Sequence, residues 1–205
     1  NTEEVKKAMP NVQQLSILGI AEPFYKNRIF DVFKKLNFIE HRDNILFWTF
    51  CNGTIFTGRA QDRLLDIVRH VNLGFSIDAG TAETYKKIRR LDYFDKIKAN
   101  LTLYFKKVKE RDEINDFSYT TNNINLYNVN ELKEMIDLGI EVGANSTQYT
   151  LTMKYQADLK IEDEKLCNID NWEIFWEAQK DAEEYAKSKN YTVDFFVPFH
   201  NGYLK

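Results

Sequence analysis

Short apolar runs alternate along this chain with longer segments whose apolar residues recur at helical spacing. The run at 45–50 is rich in aromatic and β-branched residues, which favours a buried strand. The segment at 93–109 repeats its apolar residues every three or four positions, which predicts an amphipathic helix. The pattern predicts strands over 15–18, 45–50, 73–77, 117–121, 140–144 and 191–197, and helices over 27–36, 61–71, 93–109, 129–138 and 172–189. Thr81 is an expected N-cap of one more helix, and Gly139 an expected helix stop.

The order of these elements predicts the fold class. Strands that begin roughly 25 to 50 residues apart leave room for a helix in each connection, which is typical of parallel sheets. About six strand–helix units are too few for a closed eight-stranded barrel. An α/β fold with a partial barrel or a doubly wound sheet is therefore expected. The segment at 160–168 is acidic and predicts a loop, and since no low-complexity linker divides the chain, residues 1–205 are expected to form one domain.

Ligands of parallel α/β folds bind where the strands end, so the loops after the predicted strands are candidate site segments. These loops are 19–23, 51–53, 76–80, 120–123, 145–147 and 198–201. In the first of them, Glu22 is a lone carboxylate beside the small residues Gly19 and Ala21. Such a carboxylate suits a ligand that carries an ammonium or sulfonium group. An ordinary turn, with Glu22 near a helix N-terminus, would show the same pattern.

The densest polar segment runs from Ser76 to Arg90. Ser76 and Asp78 are two positions apart on one side of a predicted strand, where their oxygens suit ribose hydroxyls. Gly80 permits a positive φ before the helix, and Arg89 lies near the end of that helix. Ordinary helix capping with a solvated basic end is the alternative.

Cysteine content, charge and apolar runs argue against several kinds of protein: disulfide-bonded, nucleic-acid-binding and membrane-spanning ones. Cys51 and Cys167 form neither a disulfide scaffold nor a four-cysteine metal site, so a reduced, cytoplasmic setting is expected. No motif joins a cysteine to a histidine, and His200 is a weak candidate acid or base. The net charge is −3 and the pI is near 5.7, which argues against a nucleic-acid partner. No apolar run is long enough to predict a membrane span.

Three ordered segments resemble the radical S-adenosylmethionine superfamily, in particular its branch with a SPASM or twitch-type auxiliary domain. GIAEPFYKNRIFDVFKKL resembles the turn after that family's second strand, FCNGTIFT the turn after its third, and FSIDAGTAETYKKIRR the segment after its fourth. The residues from Asn128 to Glu131 are a weaker match to a later helix start. The resemblance covers roughly residues 10 to 150.

This resemblance implies a partial (β/α)6 TIM-like parallel barrel, incomplete at the N-terminus. It implies S-adenosylmethionine as cofactor, with a [4Fe–4S] cluster held in a full-length protein by a C-x-x-x-C-x-x-C motif. Reduction of the bound cofactor would give a 5′-deoxyadenosyl radical that abstracts hydrogen from a substrate of unknown class. The cofactor-binding residues that it implies are Gly19, Ala21, Glu22, Asn52, Gly53, Ser76, Asp78, Arg89 and Asn128. Neither catalytic nor metal-binding residues are expected in this chain.

The chain also departs from the family pattern. It has no three-cysteine motif, Ala21 replaces a glycine, Cys51 replaces a threonine, and Gly80 is displaced by one position. Either the chain is the interior of a trimmed enzyme, or it is a degenerate, non-catalytic binding module on the same scaffold. An unrelated barrel enzyme using His200 or Asp78 is a third reading. A barrel without its first strand would expose an edge, so self-association is expected.

Overall fold

A computed structural model describes residues 2–19, 22–151 and 172–196. Its strands form one seven-stranded sheet in the order β1-β2-β3-β5-β6-β7, with the short β4 beside β3. The strands are β1 (Gln14–Ser16), β2 (Leu46–Cys51), β3 (His70–Ser76), β4 (Asn115–Asp116), β5 (Tyr119–Ile124), β6 (Ser146–Leu151) and β7 (Thr192–Phe196). The α-helices are α1 (Thr2–Ala8), α2 (Arg28–Lys35), α3 (Gly58–Ile67), α4 (Ala82–Arg89), α5 (Phe94–Lys109), α6 (Leu132–Val142) and α7 (Trp172–Ser188).

The fold class expected from the sequence is confirmed. Leu46 of β2 is in register with Gln14 on one side and with His70 on the other, and both pairings are parallel. In the same way β6 pairs in parallel with β5 and with β7. The sheet has flanking helices and does not close, which is consistent with a partial TIM-like barrel.

Internal contacts divide the chain into two compact units. The first comprises residues 1–76, 95–119 and 142–144, and the second comprises 77–94, 120–141 and 145–205. In the first unit, Phe75 of β3 packs edge-on against Tyr104 and Phe105 of α5, with ring centroids 5.5 and 5.8 Å apart. In the second, Tyr149 of β6 stacks on Phe195 of β7 at 4.7 Å. Of these rings Phe75, Tyr104, Phe105 and Tyr149 are buried, and Phe195 is partly buried.

The predicted boundary at Gly139 is wrong. Helix α6 continues through Gly139 to Val142, and residues 140–144 form no strand. The helix ends instead at Gly143, whose φ of +86° is the left-handed conformation that glycine favours. Position 139 requires glycine for a different reason: a Cβ there would lie only 2.4 Å from the Tyr191 hydroxyl oxygen.

Two further predictions need correction. Thr147, expected in a loop, is buried within β6. Helix α3 ends at Ile67, and His70–Ser76 already forms β3, whereas the helical pattern was expected to reach Val71. The predicted loop at 160–168 lies outside the described residues. The helices of the described ranges include none with the length and apolar character of a membrane span.

Candidate functional site

Glu22 lies shortly after β1 and presents one carboxylate oxygen without a partner. Its Oε2 accepts the backbone N–H of Asn52 at 2.9 Å. Its Oε1 is buried and has no hydrogen-bond partner among the described residues. Burial raises the pKa of Glu22, and the Asn52 N–H opposes that rise by stabilising the charged form. A cationic ligand group beside Oε1 would supply the interaction that this oxygen lacks.

Asn52 and Gly53 form a tight turn directly after β2. The Asn52 side-chain oxygen Oδ1 accepts the backbone N–H of Thr54 at 2.9 Å and its hydroxyl at 2.6 Å. Gly53 has φ +72°, and a Cβ there would lie 2.9 Å from a methyl carbon of Leu101. The turn therefore requires glycine for both its conformation and its close contact with α5. Glu22, Asn52 and Gly53, which the sequence places in two loops, meet in one unit.

Cys51, the residue before this turn, is a buried free thiol. Burial raises its pKa well above the ordinary value, and the negative charge of Glu22 adds to the rise. A thiol in this environment is protonated at neutral pH and is a poor nucleophile and metal ligand. The structure therefore offers no activated cysteine at Cys51.

In the second unit, Asp78 is buried in a left-handed backbone conformation. Its φ is +65°, and its exposed fraction is 5%. The backbone N–H of Asn123 donates to Oδ1 at 2.7 Å, and the Asp78 N–H donates to Asn122 Oδ1 at 3.0 Å. Burial raises the pKa of Asp78, while the Arg89 charge and the Asn123 donors oppose that rise. Gly80, which could adopt a positive φ, does not do so here, and the left-handed residue of this loop is Asp78.

Arg89 joins the end of α4 to the loop that precedes this helix. Its Nη2 lies 2.5 Å from Asp78 Oδ2, while its side chain is 32% exposed. Two residues that the sequence suggested as separate ligand contacts are therefore an ion pair. The pair fixes the guanidinium and leaves part of it accessible.

Asn128 ties the same loop to the end of β5. It is fully buried, and its Nδ2 donates to the carbonyl oxygens of Asp78 and Asn123, both at 2.9 Å. Its Oδ1 accepts the Asn125 N–H at 2.8 Å. These contacts occupy both ends of the amide, so the present role of Asn128 is to shape the loop.

Glu131 is a site residue whose role the sequence analysis missed. One oxygen accepts the Gly80 N–H at 3.0 Å, and the other accepts the hydroxyls of Thr81 and Thr84. Thr81 caps α4 as predicted, with its hydroxyl accepting the Thr84 N–H. The available signal was the position of Glu131 at the start of a helix, in the segment that begins with Asn128.

The remaining predicted residues are placed as follows. Gly19 is exposed in the loop after β1, and Ser76 is the half-buried last residue of β3. Ala21, Cys167 and the loop at 198–201 with His200 lie outside the described residues. Within the described ranges, no three His, Cys, Asp or Glu side chains form a group suited to a metal ion.

Comparisons with known proteins give structural matches only. No known family profile matches the sequence, and no curated protein does. The solved structure of anSMEcpe with bound AdoMet matches with a TM-score of 0.69 and 16% identity, over 95% of this chain and 53% of that chain. SuiB from Streptococcus suis, bound to S-adenosylmethionine, matches with a TM-score of 0.58 and 12% identity, over 98% of this chain and 41% of that chain. A radical SAM methyltransferase from Sphaerobacter thermophilus matches with a TM-score of 0.57 and 12% identity, over 96% of this chain and 54% of that chain.

At these identities the likeness shows a shared fold. The chain shares the fold of these three solved structures, one of which is a radical SAM methyltransferase, in line with the resemblance of the three sequence segments. It spans about half the length of the first solved structures that it matches.

Proposed function

We propose that this chain is the S-adenosylmethionine-binding core of a radical SAM enzyme of the SPASM or twitch-type branch. The observation that carries the proposal is the buried Glu22 Oε1, which has no hydrogen-bond partner in the described chain. S-adenosylmethionine carries an ammonium group, and an ammonium that donates to this oxygen would stabilise the charged carboxylate. The shared fold with two S-adenosylmethionine complexes supports this assignment.

The residues of the turn give Glu22 its proposed role. Asn52 supplies the N–H that holds one oxygen, so the other is left for the ligand. Gly19 and Ala21 would offer backbone groups beside it, and Gly53 keeps the turn compact. Contacts of Ser76, Asp78, Arg89 and Asn128 with the cofactor stay predictions, and the geometry favours an indirect contribution for Asp78, through the orientation of Arg89.

The described residues do not fit a [4Fe–4S] cluster. Such clusters are held by several cysteine thiolates, and Cys51 is the one cysteine of the described part, buried and with a raised pKa. We therefore assign no chemical step to this chain. In a full-length protein, cluster ligands outside these 205 residues would allow the bound cofactor to supply a radical for hydrogen abstraction.

A non-catalytic binding module is the second candidate. The family pattern has threonine beside the proposed site, whereas this chain has the buried Cys51 there. This departure favours the second candidate. Under both readings we propose that residues 1–205 act together in the cytoplasm, and we expect no nucleic-acid partner.

Ligand binding tests the proposal directly. Calorimetry of the full-length protein and of this chain would compare S-adenosylmethionine with 5′-methylthioadenosine, which lacks the ammonium and carboxylate. Glu22→Gln is expected to weaken binding of S-adenosylmethionine on the order of tenfold and to leave 5′-methylthioadenosine unchanged. Glu40→Gln, at an exposed glutamate of the same unit, is the matched control. No binding by the unaltered full-length protein, or equal losses for both ligands, would contradict the proposal.

A further inference from the structure

Asn100 of α5 bonds to the turn that holds Glu22, although it lies far away in sequence. Its Nδ2 donates to the Gly53 carbonyl oxygen at 2.8 Å, across 47 positions of chain. The backbone carbonyl of Asn100 accepts a hydrogen bond from Gln61 Nε2 at 2.8 Å. One residue of α5 therefore anchors both the turn after β2 and helix α3.

Gln61 strengthens this anchor at the other end of the loop. It is fully buried, and its Nε2 donates to the carbonyl oxygen of Phe56 at 2.9 Å as well as to that of Asn100. Gly53 is consequently bonded to the Asn100 side chain, and Phe56 is linked to the Asn100 backbone through Gln61. A buried amide is costly unless its donors are used, so the geometry of this loop is strongly constrained.

The constraint reaches the donor that faces Glu22. The turn is closed internally by the bonds from Thr54 to Asn52 Oδ1, so its peptide units move together. Asn100 holds the Gly53 carbonyl oxygen of this turn, and Leu101 and Ile97 lie so near that a Cβ at Gly53 would collide with them, which limits where the turn can move. The direction of the Asn52 N–H follows from both, and this N–H is the donor to Glu22 Oε2.

We propose that Asn100 is a positioning residue: by holding the Gly53 carbonyl it aims the Asn52 N–H at Glu22 and so keeps the second carboxylate oxygen available to a cationic ligand. The ligand part rests on the proposed function. The hydrogen-bond part concerns this chain alone and is measurable without any ligand.

The test is a carbon-13 NMR titration of the Glu22 carboxyl group in the 205-residue chain. Asn100→Ala and the similarly sized Asn100→Leu are expected to raise the pKa of Glu22 above that of the unaltered chain, because the carboxylate loses a well-aligned donor. Tyr104→Phe is the control, since it removes a partly buried hydrogen bond that a residue of the same helix donates to Asp116. It is expected to lower stability and to leave the Glu22 titration unchanged.

An unchanged Glu22 pKa in the Asn100 variants, or an equal rise in Tyr104→Phe, would overturn the proposal. If the variants do not fold, the unaltered chain decides: the nitrogen-15 signal of the Asn100 side-chain amide should shift with the same midpoint as Glu22. Absence of that shift would overturn the proposal as well.

A binding experiment tests the ligand part: Asn100→Ala should weaken the binding of S-adenosylmethionine about tenfold and leave the binding of 5′-methylthioadenosine unchanged. If the unaltered chain and the full-length protein bind neither ligand, the proposed function fails, while the Glu22 titration still decides the role of Asn100.

Discussion

Arg89 Nη2 lies 2.5 Å from Oδ2 of Asp78, and the aspartate at the centre of this pair is buried in a left-handed backbone conformation. A non-glycine residue with positive φ is stable only where its surroundings enforce it. Here the ion pair and the bonds from Asn123 provide that enforcement. The loop before α4 is thus held together by contacts to the buried carboxylate of Asp78.

Removal of the Asp78 carboxylate should destabilise the chain in a graded way. Asp78→Ala removes the carboxylate that pairs with Arg89, and alanine adopts a positive φ less readily than aspartate, so a loss of about 2–4 kcal/mol in unfolding free energy is expected. Asp78→Asn tolerates this φ and keeps an acceptor for Asn123, so its loss should be about half as large. Urea denaturation measures both, and equal losses would contradict this account.

The raised pKa of Glu22 predicts how stability depends on pH. A carboxyl with a higher pKa in the folded state binds its proton more tightly there, so stability falls as pH rises from its unfolded value through its folded value. Glu22→Gln removes this penalty. At pH 7 without ligand it should melt higher, by about 2–4 °C per kcal/mol gained. The difference should shrink toward pH 4 in differential scanning calorimetry, and a difference independent of pH would contradict the prediction.

Glu131 and Thr84 should be energetically coupled. A double-mutant cycle of Glu131→Gln and Thr84→Val is expected to give a coupling energy of about 1 kcal/mol, because a carboxylate accepts the hydroxyl directly. Glu83→Gln with Thr84→Val is the control pair, since Glu83 is exposed on the same helix. Additivity in the Glu131 cycle would show that the contact contributes little.

Gly139 should resist a substitution that usually stabilises helices. Alanine at Gly139 would place its Cβ 2.4 Å from the Tyr191 hydroxyl oxygen and 2.6 Å from Thr147 Oγ1, so a loss of about 1–3 kcal/mol is expected. Tyr191→Phe removes one of the two atoms and should recover part of that loss in the double variant. Thermal unfolding of the three variants checks this, and a stabilised Gly139→Ala would refute it.

The edge of β1 predicts self-association of the 205-residue chain. Within the described part, β1 pairs with β2 alone. The bonds to β2 involve Gln13 and Ile17, so the backbone amide of Ser16 points to the other side. Light scattering at high concentration should show species larger than a monomer, and Ser16→Pro should reduce them while Ser16→Ala does not. A monomer at all concentrations would contradict this prediction.

Much of the fold could be predicted because buried parallel strands have a distinct apolar pattern. Strand β2 and helix α5 follow their predicted ranges closely. The error at 140–144 arose because a short apolar run has no period that separates a strand from the end of a helix. Strand β6 was missed because its sequence, STQYTL, is mostly polar, and Thr147 and Tyr149 are its fully buried residues.

The sequence predicted which loops form the candidate site, but it did not predict the contacts that the side chains of these loops make. The rule that ligands bind at strand ends selected Glu22, Asn52 and Asp78. That Arg89 turns back onto Asp78, or that Asn100 reaches Gly53, depends on distances that sequence spacing does not encode. Glu131 was outside the expected set because its partners are about 50 positions earlier in the chain.

That separation has a consequence for synthesis of the protein. The loop at 78–84 takes its shape from Asn122, Asn128 and Glu131, which follow it by 44 to 51 residues. A ribosome adds those residues about 2–10 s later, at usual rates of elongation. Until then Asp78 lacks its bonds to Asn122, Asn123 and Asn128, and of the contacts described above only the ion pair with Arg89 can form. The nascent chain should therefore complete the start of α4 late, after Glu131 has been added, even though the backbone hydrogen bonds of α4 are local.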